Sequence, residues 1–203
     1  MRYNDSMNLQ SFVFIGRSGC GKGTQIELLV KVLKEKDPAH EILNIYTGQE
    51  FRNFIKGSSK TQQLTKGVYD VGGLMPEFLT VHMWVKPLVE QYNGNQHIIF
   101  DGTPRKFHEA GVLHSMFGFY KFDKPWVINI GISQEEAVKR LLKRKRQDDT
   151  EVDIRKRLGW YETDVAPTIE FYRDNPNYNF VYVDGERTPE EIHQDIVKRV
   201  GLL

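Results

Sequence analysis

The sequence predicts an α/β protein: a three-layer α/β/α fold with a doubly wound, five-stranded parallel sheet. Three observations predict it. Short continuous apolar runs occur five times, as expected for strands covered on both faces. Each is followed by residues whose apolar positions recur at helical spacing. The first strand-to-helix junction is the glycine loop Gly16-Arg17-Ser18-Gly19-Cys20-Gly21-Lys22-Gly23-Thr24. In this fold ligands sit at the carboxyl ends of the strands. Gly16, Thr47, Asp101 and the turn at Asp184-Gly185 all fall there.

Taken in order, Ser11–Ile15 is the first strand, and a helix should run from about Gly23 to Lys36, stopped by Asp37-Pro38. Ile42–Tyr46 is the second strand. A polar helical segment to about Lys56 ends at Gly57-Ser58-Ser59, and another helix covers about Thr61–Val71. Pro76 is placed to start the next helix, which reaches about Tyr92. His97–Phe100 is the third strand, ending at Asp101. Thr103-Pro104 reads as an N-cap followed by Pro at the first helical position. Trp126–Ile130 is the fourth strand, and Ser133 with Glu136 reads as a capping box. Thr150 to about Asp174 reads as a long helical stretch, with Pro167 as its kink. Phe180–Val183 is the fifth strand. Thr188-Pro189-Glu190-Glu191 then combines an N-cap, a Pro and a capping-box Glu.

At 203 residues the chain can form one large domain with insertions. Hydrophobic content of 39% and charged content of 27% suit a soluble globular protein. A net charge of +1 gives no basic excess for nucleic acid. One cysteine excludes an intramolecular disulfide and a cysteine-based metal cluster. No apolar run approaches a membrane span, and MRYNDSMNLQ lacks the apolar segment of a signal peptide. A cytoplasmic protein with no membrane or nucleic-acid partner is expected, most simply a monomer.

The chemistry starts at the loop. It has the form G-x-x-x-x-G-K, with Thr24 one residue later than the usual Ser/Thr. The glycines let backbone N–H groups turn inward around an anion, and the helix N-terminus adds partial positive charge. Lys22 supplies a full charge at the β/γ-phosphates, and Thr24 a hydroxyl for Mg²⁺. The alternative, a tight turn with no ligand, leaves three glycines and a lysine unexplained. Asp101 can hold Mg²⁺ through water, its alternative being a turn cap. Arg52 and Arg105 lie just past strands, and guanidinium groups bind phosphate in bidentate fashion; each alone reads as a surface charge. Arg140, Arg144, Lys145, Arg146, Arg155 and Arg157 form a basic cluster. Charge alone favours a solvated hairpin, but beside a phosphate loop converging arginines are what phosphoryl transfer requires. Cys20 reads as a small space-filling residue rather than a reactive thiol. His82, His97, His108 and His114 show no metal spacing, and Trp160, Tyr161, Phe171 and Tyr172 read as helix core.

The chain resembles the adenylate kinase and nucleoside monophosphate kinase family, of the P-loop NTPase type with a short lid. The resemblance rests on GRSGCGKGTQ at 16–25, YTGQEFR at 46–52, GGLMP at 72–76, DGTPR at 101–105, RLLKR at 140–144, RQDDTEVDIRKRL at 146–158 and VDG at 183–185. It implies a core of 11–46, 77–143 and 150–203, an acceptor-binding insertion at about 47–76, and a very short lid at about 144–149. It implies ATP phosphates on Gly16 to Thr24, with Gly19, Cys20, Gly21, Lys22 and Gly23 in contact. Arg140 would lie on the ATP adenine, with backbone near Gly185 closing that pocket. Arg52 and Arg105 would grip the acceptor phosphate beside Gly102, while Thr47 and Gly48 would meet its base. Arg144, Arg146 and Arg157 would surround the migrating group, oriented by Asp148 and Asp149. ATP and Mg²⁺ are implied, and a zinc-bearing lid is not.

The activity implied is ATP·Mg²⁺ + AMP ⇌ 2 ADP. Ser18, Gln49 and Thr103 depart from the family's common Pro, acid and aromatic residue. Glu109 stands where a Gln usually reads adenine. A Gln amide donates to adenine N1 and accepts from its amine, whereas ionised Glu only accepts. Glu109 would suit guanine's two donors, or adenine's amine at the cost of facing the N1 lone pair. An unpaired buried polar contact costs about 1–3 kcal/mol, enough to disturb the preference without deciding it. AMP ranks first as acceptor, with GMP or a pyrimidine monophosphate second. Alternatively, Glu109 is a surface helix residue and backbone groups read the base. Two rivals differ in class. A silent nucleotide-binding relative would have no use for two sets of phosphate arginines. A kinase for a hydroxylated acceptor could use Asp101 as base but would leave Arg52, Arg105 and Thr47-Gly48 unexplained.

Overall fold

A computed structural model describes residues 9–144 and 150–203. Among them, five strands form one all-parallel sheet: β1 (Ser11–Ile15), β2 (Glu41–Tyr46), β3 (Gln96–Asp101), β4 (Trp126–Gly131) and β5 (Asn179–Asp184). Their order is β2-β3-β1-β4-β5. Phe12 lies opposite Ile99 on β3 and Trp126 on β4; Tyr46 lies opposite Asp101, and Gly131 opposite Asp184. These registers align the carboxyl ends of the strands, and the chain switches direction around β1.

Strand period 2 divides the core. On one face Phe12, Phe14, Ile99, Ile128 and Ile130 meet α1 (Lys22–Lys36), α6 (Gln134–Arg144), α7 (Glu151–Trp160) and α9 (Pro189–Arg199). On the other, Val13, Ile15, Ile98, Phe100 and Val127 meet α4 (Glu77–Gln91), α5 (Phe107–Tyr120) and α8 (Ala166–Arg173). The remaining helices, α2 (Thr47–Phe54) and α3 (Lys60–Asp70), cover β2's exit with a small core of their own, where Phe51 meets Met75, Leu79 and Met83. No helix among the described residues is long and apolar enough to cross a membrane.

Five strands, their parallel sense and the helix order match the sequence expectation. Four local expectations do not. Pro76 is the cap before α4 rather than its first residue. The helix expected at Thr103-Pro104 starts at Phe107, because the Glu109 carboxylate accepts backbone N–H groups of Arg105 (2.7 Å) and Lys106 (3.3 Å) and so fixes the start further on. Ser133 does cap Glu136 (N to Oγ, 3.3 Å), but the reciprocal bond comes from Glu186, which takes the Ser133 N–H at 2.9 Å. Glu136 instead pairs with Arg140 at 2.7 Å.

The long helical stretch keeps its expected extent, but its irregularity lies ahead of Pro167 rather than at it. Between α7 and α8 a π-helical turn runs over Tyr161–Val165, and Pro167 sits in the first turn of α8. Proline lacks an N–H, and its ring crowds the carbonyl four residues back, at Thr163. A widened turn gives that carbonyl room. By contrast, the Thr188/Glu191 box forms as expected, with reciprocal bonds of 2.9 and 3.3 Å.

Candidate active site

The glycine loop begins where β1 ends, close against β4. A Cβ on Gly16 would meet the Ile130 carbonyl oxygen at 2.4 Å and Cys20 Sγ at 2.8 Å, so only glycine fits. Gly21 caps α1 at φ 93°, a left-handed conformation costly for other residues. Cys20 is buried at 1% exposure and joins the main core, which suits a space-filling role. Lys22 folds back on its own loop, its Nζ donating to the carbonyls of Gly16 (2.7 Å) and Arg17 (3.0 Å) and to Cys20 Sγ (3.4 Å). An incoming phosphate offers stronger, charge-assisted acceptors for those same protons.

This loop forms one wall of a cavity of about 660 Å³. Gly19, Cys20, Gly21, Lys22, Gly23 and Thr24 line it along this wall. Asp101 and Gly102 bring the end of β3 to it; Arg140 and Arg144 come from α6 and Arg157 from α7. Gly48, Arg52 and Arg105 line the same space. Helix α7 is started by Thr150, whose Oγ1 accepts the Asp153 N–H at 3.2 Å, and this sets Arg157 two turns on.

Arg105 is fixed at several points. Its Nε donates to the Gly102 carbonyl at 2.9 Å and its N–H goes to Glu109, while the Thr168 hydroxyl, bonded to the Asp164 carbonyl at 2.9 Å, lies 3.4 Å from its carbonyl. Its guanidinium lies 5.4 Å from the centre of the Trp160 ring. Burial pushes its pKa down, against the upward pull of Glu109 and Asp101; Arg157 adds a like charge, and the net shift is downward. That like charge puts the two arginines within electrostatic reach of one another, and an anion between them relieves both. Arg52 is held differently: its Nε and Nη2 both donate to Gln49 Oε1 (3.1 and 2.9 Å), and its guanidinium sits 5.0 Å from the Tyr46 ring centre. The partner at position 49 is a neutral amide, so the charge of Arg52 is not cancelled there.

Some expected residues lie elsewhere. Thr47 is 1% exposed at the start of α2, off the cavity wall, with its Oγ1 buried. Gly185 is buried where β5 leaves the sheet, its N–H donating to Gly131 at 2.8 Å; Arg187, two residues on, reaches the wall instead. Glu109, expected to face the acceptor base or solvent, does neither. It is 1% exposed, off the wall, and spends its carboxylate on the Arg105–Lys106 backbone. Arg146, Asp148 and Asp149 lie outside the described residues, as does most of the expected lid.

Tyr46, Tyr69, Trp160 and Arg187 line the cavity without having been singled out as site residues. Trp160 was expected in the core, yet it forms wall and donates to the Gly72 carbonyl at 3.3 Å. Its place three residues after Arg157 on one helix face was the available signal.

Two places invite a metal. At the cavity, Thr24 and Asp101 offer hydroxyl and carboxylate oxygens, the donor set a hard cation such as Mg²⁺ prefers. Far from it, Asp37, His40 and His97 bring ligand atoms within 4.8 Å of one another, with His97 fully buried. His97 Nδ1 accepts the Gln10 N–H at 3.0 Å, so its Nε2 carries the proton it donates to Asp37 at 3.2 Å. That tautomer has no lone pair left for a metal.

Comparison with known proteins agrees with this geometry. The family model described as adenylate kinase matches residues 14–177. An adenylate kinase of Bacteroides fragilis is 32% identical over 197 residues, covering 95% of this chain and 99% of the relative. Adenylate kinase 1 of a Nostoc species is 31% identical over 93% of this chain and 97% of its own. An adenylate kinase of Corynebacterium aurimucosum is 32% identical over 94% and 98%.

Proposed function

The chain belongs to the adenylate kinase family and is a phosphotransferase of that type, and we propose that it reversibly transfers the γ-phosphoryl group of Mg·ATP to AMP, giving two ADP. One observation carries the reading: a single cavity is lined both by the glycine loop with Lys22 and by Arg52 and Arg105. One phosphate cradle would serve a hydrolase or a switch. Two cation-bearing ends in one cavity suit two nucleotides whose phosphates meet.

The roles follow from the chemistry. Inward N–H groups of the loop and α1's N-terminus bind the donor's phosphates. Lys22, released from its carbonyl partners, follows charge toward the leaving oxygen. Arg52 and Arg105 hold the acceptor phosphate, whose oxygen is already anionic, so no general base is required. Arg144 and Arg157 stabilise charge on the migrating group, and Arg146 would join them. Arg140, braced by Glu136, suits the donor base. Thr24 and Asp101 would hold Mg²⁺, which neutralises phosphate charge when bound. Catalysis is then positioning plus electrostatics, worth many orders of magnitude without a covalent intermediate. Every side chain invoked comes from one chain, so a monomer suffices.

A coupled assay for ADP, with ATP against AMP, GMP, CMP and UMP, tests this. The expected result is rapid ADP formation with AMP as the best acceptor. ATP hydrolysis unchanged by any monophosphate would refute it.

A further inference from the structure

We propose that Glu109 is a positioning residue for Arg105, and that it does not read the acceptor's base. The inference rests on the phosphotransferase reading above and deepens its acceptor side. Glu109 stands at the third position of α5, four residues after Arg105. Its Oε2 accepts the Arg105 N–H at 2.7 Å and the Lys106 N–H at 3.3 Å. Its Oε1 is closed off from solvent beside the Thr80 hydroxyl, which favours the ionised carboxylate. The side chain is 1% exposed, and no part of it lies on the cavity wall. Neither oxygen is open to a ligand.

What the carboxylate touches is the backbone from which the phosphate-gripping guanidinium springs. Arg105 follows three irregular residues after Asp101, a segment outside helix and strand, so nothing in the regular hydrogen-bond ladder fixes its Cα. Glu109 fixes the N–H side and the Gly102 carbonyl the side chain. Burial pushes the Glu109 carboxyl up, and the net shift is upward; the Arg105 guanidinium and the two N–H groups pull it back toward the ionised form. The pair makes one unit: a charge buried under the site to hold an opposite charge at its surface.

A misplaced Arg105 weakens acceptor binding and transfer and leaves the donor site alone. A lost base contact would change which monophosphate is preferred. Kinetics separate the two. The wild-type chain, Glu109→Gln and Glu109→Ala are assayed with varied AMP, GMP and ATP, alongside thermal midpoints. Gln keeps an oxygen for the two N–H groups and loses the charge. It should raise KM for AMP about two- to fivefold. Ala should lower kcat/KM for AMP by about thirtyfold or more. In both, KM for ATP and the AMP-to-GMP preference should stay within twofold of wild type. If Glu109→Ala does not fold, Glu109→Gln decides alone by the same two readouts. A change of tenfold or more in the AMP-to-GMP preference would make Glu109 a base reader and overturn the proposal. So would lowered thermal midpoints with unchanged AMP kinetics, which would leave only a helix cap. A wild-type chain that forms no ADP from any monophosphate would instead overturn the phosphotransferase reading, and this proposal with it.

Discussion

The two ends of the cavity are built by different means. The phosphate cradle of the proposed donor end is continuous in sequence: the end of β1, six loop residues and the first turn of α1 supply it. Its binding groups are mainly backbone N–H groups, aimed by glycine conformations that the loop itself dictates. The acceptor end is assembled from pieces far apart in the chain, with Tyr46 and Arg52 around α2, Arg105 after β3, and Arg157 and Trp160 from α7. Its binding groups are side chains, each aimed by another residue: Arg52 by Gln49, Arg105 by Gly102 and Glu109. Backbone cradles therefore resist side-chain change but not backbone change. Side-chain cradles depend on their braces.

The largest expected effect breaks both ends equally. Lys22→Ala and Arg105→Ala should each lower turnover at least 10²–10³-fold, the scale of losing one preorganised charge contact, while thermal midpoints stay within a few degrees. Near-normal turnover in either variant would remove it from the charge-stabilising set. The next contrast separates the ends. Gly16→Ala puts a methyl group against a backbone oxygen at φ 149°. It should lower the thermal midpoint as well as ATP affinity, because strain of about 1–3 kcal/mol enters the fold. Arg52→Ala should leave the midpoint alone and raise KM for AMP about 10–100-fold, as one lost charge-assisted contact implies. Unfolding curves and steady-state kinetics on the two variants test the contrast; a stable Gly16→Ala protein with normal ATP affinity would undo it.

The smallest effect lies outside both ends, at the Asp37–His40–His97 cluster. Burial pushes the Asp37 carboxyl up, but hydrogen bonds and charge from His40 and His97 outweigh it, and the net shift is downward. Burial pushes the His97 imidazole down, more than Asp37 raises it. Both groups therefore bind protons less readily folded than unfolded. The stability His97 contributes is complete above its ordinary value of 6.5 and is lost as pH falls below it; Asp37 follows below 3.8. The thermal midpoint should decline from pH 7 to pH 5, and His97→Gln should flatten that decline. Turnover at pH 7 should barely change, since none of the three lines the cavity. A midpoint independent of pH over that range would contradict the cluster's proposed protonation.

The same contrast explains what the sequence could tell. The donor loop was legible because its chemistry is local: spacing fixes conformation, and conformation fixes the anion site. The sheet was legible because fully buried parallel strands leave unbroken apolar runs such as Phe12–Ile15 and Ile98–Phe100. At the acceptor end the arginines were visible, but their braces were not. Glu109 follows Lys106 at capping-box spacing, yet Thr103-Pro104 offered a stronger start signal, and only tertiary packing gives Glu109 its backbone partners. The π turn at Tyr161–Val165 was hidden because Pro167 announces a break without saying how the preceding turn accommodates it. The pairing of Asp37 with His97 joins residues 60 apart, a distance no local pattern spans.

The central claim is that two nucleotides lie end to end in one cavity, donor phosphates against acceptor phosphates. Calorimetric competition with a bisubstrate dinucleotide, two adenosines joined through five phosphates, tests it most directly. The account predicts one molecule bound per chain, with prior saturation by either ATP or AMP weakening its binding. A bisubstrate that competes with ATP and ignores AMP would contradict it.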